Sequence, residues 1–451
     1  MSKFHKKSRG QFTSSIGFIL AAAGSAIGLG NLWKFPYIAG NSGGGFFIVF
    51  YILFAAMLGV PIVLAEMSIG RNTELNAIGA FRSINQKWAF VGAMDVLCSF
   101  VILSYYSVVG GWVLKYIFVY LTGGNFGENT AAYFGDFVAK PLEPAIWHLL
   151  FMAFCAIVVI DGVAKGIEAA SKRMLPVLFL LLIVVVIRSV TLPNAIEGLQ
   201  FLFVPKFEIF RSAKELSNVL VLAMGQVFFS LSLGMGITIT YGSYLQKNSN
   251  MPKNTYLVIG LDTLMATLAG VAILPAVFSF GFEPAAGPGL IFVTLPAVFE
   301  SMSMGRIFGL LFFLLVFFAA ATSAIALLEV VASYFIDQFH WKRRNATVIL
   351  SLIMGAIGVF ASLSMGVLSE YTIGGMNLFD AMGFLTDKIL MPAAAFCTCI
   401  FVGHIWGIRN ATEEIEQCGV KFRIEKFFGV MLKYIAPVLI LIIFVMGLLP
   451  A

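Results

Sequence analysis

Eleven apolar stretches, each long enough to cross a hydrocarbon layer as a helix, leave few folds open to this chain. They run roughly over 13 to 37, 43 to 70, 88 to 121, 142 to 160, 166 to 188, 215 to 246, 254 to 281, 305 to 338, 345 to 363, 374 to 405 and 427 to 450. About 20 helical residues span a bilayer core of about 30 Å. Backbone polar groups at that depth must be satisfied internally, which restricts spanning structures to helices and closed barrels. A barrel would be written in short alternating segments, whereas these runs are continuous. The expected class is therefore an all-α polytopic membrane protein, consistent with 60% hydrophobic and 12% charged residues among 451.

The loops carry a charge asymmetry. Lys3, Lys6, Lys7, Arg9, Arg71, Arg82, Lys87, Lys165, Lys172, Arg173, Lys247, Lys253, Lys342, Arg343, Arg344, Arg409, Lys421, Arg423 and Lys426 fall before span 1 or in even-to-odd loops. Only Lys140, Arg188, Lys206, Arg211, Lys214 and Arg306 fall on the other side. The positive-inside rule then predicts a cytoplasmic N-terminus and, with an odd span count, an extracytoplasmic C-terminus. The net charge of +6 follows from this topology and calls for no nucleic-acid partner. The basic start followed by an apolar run resembles a signal peptide, but the run continues past Gly24 to Tyr37, so a retained first span is expected. Five dispersed cysteines suggest neither a disulfide framework nor a metal site.

Two spans are interrupted where interruption is costly. Span 1 places Gly24, Ser25, Gly28, Gly30 and Asn31 at its centre, and span 6 repeats the device in GQVFFSLSLGMG, residues 225 to 236. SAIGLG, from Ser25 to Gly30, echoes LSLGMG, from Leu231 to Gly236. Five spans separate the copies, so the second enters the membrane from the opposite side, as in an inverted repeat whose halves each open on a broken helix. Irregular backbone at bilayer depth must line a cavity or be buried in protein, so the two breaks are expected to face each other. Freed carbonyls can hold a cation, and a half-helix N-terminus favours a carboxylate. Thr322 and Ser323 in span 8 could add hydroxyl ligands, or could simply bond their own helix. Glu66, Asp262 and Glu329 are acids at membrane depth, where such groups tend to be functional, although Asp262, about two helical turns inside the inner end of its span, could instead reach back towards the interface.

With GSAIGLGNLWKFP and GGGFF near span 1, GQVFFSLSLGMG in span 6, FFAAATSAIALLE in span 8 and the Tyr105-Tyr106 pair in span 3, the chain resembles the neurotransmitter:sodium symporter family over nearly its whole length. Eleven spans resemble its bacterial amino-acid transporter subgroup. The resemblance implies a LeuT-type fold: two five-helix inverted repeats, 13–188 and 215–405, flanked by a cytoplasmic segment 1–12, an extracellular loop 189–214, a cytoplasmic loop 406–426 and a last span in 427–451.

It also implies roles. One sodium site would use the Ala26 carbonyl, Asn31, Ser230 and Asp262, with the substrate carboxylate. A second would use Gly24, Ile27 and Ala319 carbonyls with Thr322 and Ser323. The substrate carboxylate would meet the Leu29 and Gly30 amides and the Tyr106 hydroxyl, and its amine the carbonyls of Ala26, Phe229 and Ser230. Ser25, Ile102, Tyr106, Phe229, Ser232, Met235, Ser323 and Leu327 would line the side-chain pocket. A pliable methionine at 235, where a bulky aromatic stands in the best-known bacterial relative, points to a large hydrophobic or aromatic substrate, tyrosine favoured.

Gates follow from the same resemblance. Tyr106 and Phe229 would form the outer lid, and Arg9 with Asp337 an inner ion pair supported by Phe12 and Tyr244. The outer gate pairs a base in span 1 with an acid in span 10; Lys34 supplies the base, the acid's place is taken by Gly383, and Asp380 is the expected substitute. Asp262 would supply the negative charge that chloride supplies in animal members, so chloride-independent transport is expected. Sodium ions would be co-transported, with no organic cofactor. Partners would be the amino acid and the bilayer, and the location a bacterial inner membrane.

Other classes fit less well. A proton-coupled or exchange-type carrier would share the broken helices but would not need the Thr322–Ser323 pair. An enzyme would need a nucleotide or metal motif, and His5, His148, His340 and His404 are dispersed. Eleven spans and paired breaks argue against a seven-span receptor, and a channel would show uptake without a bound, saturable stage.

Overall fold

A computed structural model describes residues 10–127, 129–284 and 287–448. Among the described residues, nine helices are long and apolar enough to cross a membrane, and a tenth span is a helix pair, Ser15–Ala26 and Gly30–Asn41, bent by 55°. The nine are Gly45–Thr73, Gln86–Thr122, Glu143–Ile160, Val163–Val190, Met251–Ser279, Gly305–Phe339, Arg343–Leu363, Leu378–Glu416 and Glu425–Leu448. They coincide with expected spans 2 to 5 and 7 to 11. The sixth expected span is divided into Ala213–Ser230 and Ile237–Gly242, and its first half opens on Lys214 and Glu215, so neither piece is a continuous apolar span.

The two breaks have different local causes. In span 1 the backbone leaves the helix at Ile27, with φ −72° and ψ 90°, and resumes through a π-helical turn, Gly30–Lys34. In span 6, Ser232, Gly234 and Gly236 all adopt positive φ, between 54° and 71°. Glycine accepts that conformation without Cβ strain. At Gly234 the chain must also be bare, because a Cβ would lie 2.4 Å from the Met391 carbonyl oxygen.

Span 8, Gly305–Phe339, is the central post, packed against spans 1, 3, 4 and 5. Span 3 is 78% buried over its apolar window, whereas spans 5 and 11 are only 33% buried and present most of their apolar surface outward, toward lipid.

The polar intervals contain more structure than apolar periodicity predicts. Helices Thr130–Ala139, Ala195–Phe203 and Leu290–Ser301 lie between the expected spans. The helix of span 10 runs on to Glu416, so the loop expected to start at 406 begins about ten residues later. The extension is anchored because Arg71 Nε donates to Glu414 Oε1 at 2.7 Å, both side chains fully buried.

Candidate functional site

The site is built where the two breaks meet. Asn31, on the resumed half of span 1, donates its amide to Asp262 Oδ1 on span 7 at 2.8 Å and to Ser230 Oγ at the end of the first half of span 6 at 3.1 Å. Ser230 Oγ lies 2.9 and 2.8 Å from the two carboxylate oxygens of Asp262. Tyr51 on span 2 donates to Asp262 Oδ2 at 2.9 Å, with its ring held edge-on by Phe35 at 5.0 Å. Asp262 is fully buried. Among the described residues it has donors around it and no basic partner, so a monovalent cation would balance its charge and complete an oxygen-rich ligand set.

A second set of groups surrounds the other face of span 1. Ser323 Oγ donates to the Ser25 carbonyl at 3.0 Å and to the Ala319 carbonyl at 3.3 Å, joining spans 1 and 8. Ser232 Oγ lies 3.4 Å from the same Ser25 carbonyl. Thr322 Oγ1 bonds its own helix, donating to Phe318 and Ala319 carbonyls at 2.9 and 3.1 Å. Its side chain still faces span 1, because a Cβ on Gly24 would lie 3.2 Å from Thr322 Cβ. The break leaves Ile27 in an extended conformation, so its carbonyl is released from a continuous helix.

Span 3 closes one side. The Leu29 amide donates to the Tyr106 hydroxyl at 3.4 Å. Gly30 sits under the Phe229 ring, where an added Cβ would be 2.5 Å from a ring carbon, and its carbonyl accepts from Gln226 Nε2 at 3.4 Å. Ala26, Ile102, Met235 and Leu327 are buried, supplying apolar surface from spans 1, 3, 6 and 8. The helices bearing Ser25, Ala26, Leu29, Gly30, Ile102, Tyr106, Phe229, Ser232, Met235, Ser323 and Leu327 thus meet around the two breaks.

The ends of this region are closed by different chemistry. At one end Lys34 Nζ stands 4.6 Å from the Phe229 ring centroid and 3.9 Å from Asp387 Oδ2. The substitution expected at Asp380 is corrected here. Asp380 lies in the first turn of its helix, with its N–H bonded to Asn377 Oδ1 at 2.9 Å and its carboxylate accepting from Asn377 Nδ2 at 2.8 Å. Asp387, one turn beyond Gly383 and within a π-helical turn, is the acid that reaches Lys34.

At the opposite end, which carries most of the basic residues, the Phe12 N–H donates to the Tyr244 carbonyl at 3.1 Å, and its ring meets Tyr241 edge-on. Tyr244 donates to Glu329 Oε1 at 2.5 Å, and Arg343 grips both oxygens of Glu329 at 2.6 and 2.9 Å. Asp337 accepts from the Asn76 backbone and side chain at 3.1 and 2.9 Å. Its expected partner Arg9 lies outside the described residues.

The sequence carried a signal for some of what it left unassigned. Asp387 is an acid within a span, four residues from Gly383. Tyr51 sits in FFIVFYILF, where nothing but its hydroxyl distinguishes it from packing.

The model of the sodium:neurotransmitter symporter family matches residues 9–128 and 140–450. The chain belongs to that family. The uncharacterized sodium-dependent transporter YhdH of Bacillus subtilis is 39% identical over 442 residues, 96% of each chain. An uncharacterized sodium-dependent transporter of Haemophilus influenzae is 34% identical, covering 98% of this chain and 99% of its own. The crystal structure of MhsT in complex with L-phenylalanine matches with a TM-score of 0.89 and 42% identity, over 98% of this chain and all of that one. The fold is accordingly LeuT-type, with two inverted five-helix repeats that open on broken spans 1 and 6, followed by span 11. As a member of the sodium:neurotransmitter symporters, the chain is a multi-pass membrane transporter and not an enzyme.

Proposed function

We propose that this symporter couples an inward sodium gradient to import of a large hydrophobic or aromatic L-amino acid, with tyrosine and phenylalanine favoured, and that it does so without chloride. The observation that carries the reading is the meeting of the two helix breaks at Asn31, Ser230 and Asp262, because a cation there can also touch a substrate carboxylate held at Leu29, Gly30 and Tyr106. A ligand shared between cation and substrate makes each bind more tightly in the other's presence, which is the thermodynamic content of symport. Gly24, Ile27, Ala319, Thr322 and Ser323 hold the second sodium ion in this account.

Apolar surface from Ile102, Phe229, Met235 and Leu327 supports a large side chain, as does the L-phenylalanine bound by MhsT. Asp262 carries a fixed negative charge that removes the need for an anion. Tyr106 and Phe229 act as the lid at the Lys34 end, with Lys34 and Asp387 above them. The basic end, closed by Phe12 and Tyr244, faces the cytoplasm of a bacterial cell by the positive-inside rule, leaving the C-terminus outside.

Equilibrium binding of labelled L-phenylalanine to the purified chain tests this reading. Binding in sodium but not potassium, displaced by tyrosine better than by alanine and unchanged when gluconate replaces chloride, is the expected result. Equal binding in potassium would refute sodium coupling, a chloride requirement would refute the role given to Asp262, and stronger displacement by alanine would refute the pocket assignment.

A further inference from the structure

Beneath the span 6 break lies a second pair of acids, Glu66 on span 2 and Asp95 on span 3, which sodium symport does not use. Both are fully buried, with 0% exposure. Glu66 is engaged with the break itself: Oε1 accepts from the Gly234 N–H at 3.0 Å, and Oε2 accepts from the Thr238 hydroxyl. Asp95 is placed against the next turn of the same segment, where a Cβ on Gly236 would lie 3.0 Å from Asp95 Cβ. One helical turn on from Asp95, Ser99 donates to the Met235 carbonyl at 2.6 Å. The two acids therefore bracket residues 234 to 238, and they lie close enough to act on each other electrostatically.

Among the described residues, neither carboxylate oxygen of Asp95 has a hydrogen-bond partner, and neither acid is ion-paired. The other titratable groups that act on the pair are thiols, Cys98 on span 3 and Cys397 and Cys399 on span 10. Charged groups on neighbouring helices are committed elsewhere: Glu329 to Tyr244 and Arg343, Asp262 to Asn31, Ser230 and Tyr51, and Arg82 to Gln338. Two unpaired negative charges side by side in a dry site are far costlier than one charge and one neutral acid, or two neutral acids.

We propose that Asp95 and Glu66 form a proton-binding site, which holds a proton while the 231–236 segment is packed over the pair and exchanges it with water when that segment moves. Binding adds one proton and cancels one negative charge; release returns the proton to solvent and leaves a carboxylate that needs hydration. Ser232 and Met235 lie on the same segment, so the proton equilibrium is linked to the rearrangement of the transport site whatever substrate occupies it.

Infrared difference spectroscopy on the full chain in lipid bilayers, wild type against Asp95→Asn, tests this. Wild type should display the carbonyl stretch of a protonated carboxyl at neutral pH, absent from the variant, and the pH dependence of sodium-driven uptake should flatten in the variant. If Asp95→Asn does not yield a monodisperse protein, Glu66→Gln serves instead and should change the pH at which the band disappears. Identical spectra for wild type and Asp95→Asn, or a band whose pH response ignores Glu66→Gln, would overturn the proposal. So would a wild type without the band whose sodium binding falls in Asp95→Asn, which would make the pair a cation site.

Discussion

Asn31 on span 1 donates its side-chain amide to the Asp262 carboxylate on span 7 at 2.8 Å, so a residue at the first helix break is tied to the formal negative charge at the proposed sodium site. Asp262→Asn keeps the shape of that site and removes its charge. Sodium activation of binding should then need at least about ten-fold more sodium, a loss of about 1.4 kcal/mol or more. Sodium titration of labelled-ligand binding measures it; an unchanged sodium dependence would remove Asp262 from the site.

Close packing of Gly30 beneath Phe229 makes a second prediction. The Cβ of Gly30→Ala would lie 2.5 Å from the ring. Overpacking of this kind costs about 1 to 3 kcal/mol, and the ring that must shift belongs to the proposed lid. Substrate affinity should fall about ten-fold or more with the protein still folded, a result checked by binding alongside gel filtration; wild-type affinity would contradict the placement of Phe229.

At the proposed outer gate, two acids differ in their partners. Asp387→Asn removes the carboxylate 3.9 Å from Lys34, whereas Asp380→Asn alters a helix-capping contact with Asn377. Because the Lys34 and Asp387 side chains are 37% and 29% exposed, the pair itself contributes only about 1 kcal/mol or less. Asp387→Asn should change the uptake rate several-fold while Asp380→Asn stays near wild type. The reverse pattern in initial-rate assays would restore Asp380 as the gate acid.

At the basic end, Arg343 neutralises Glu329, whose side chain is fully buried. Arg343→Ala leaves that charge unpaired beside Tyr244, at a cost of about 3 kcal/mol. A lowered thermal melting midpoint, recovered in the double variant Arg343→Met with Glu329→Gln, is the expected outcome. A double variant no better than the single would mean that the loss comes from packing.

Much of this was legible in the sequence because lipid imposes simple rules. Run length set the spans, and glycines at forbidden depth located the breaks; GSAIGLGN and SLSLGMG stand where the helices part. Local periodicity carries less information about partners. Asp387 was missed in favour of Asp380 because an ideal register cannot report the π-helical turn over Leu385–Leu390. Tyr51 was missed because a hydroxyl in an apolar run is indistinguishable from packing until span 7 is set beside it. Asp95, in VGAMDVLC, went unremarked among the acids at membrane depth, and that it has no hydrogen-bond partner among the described residues is a property of the fold alone.

The most direct test of the central claim is uptake of labelled L-tyrosine and L-phenylalanine by liposomes containing the purified chain, under an inward sodium gradient and in matched potassium. The account predicts accumulation above the external concentration in sodium, abolished when an ionophore dissipates the gradient. Uptake that proceeds equally in potassium, or that only equilibrates across the membrane, would contradict it.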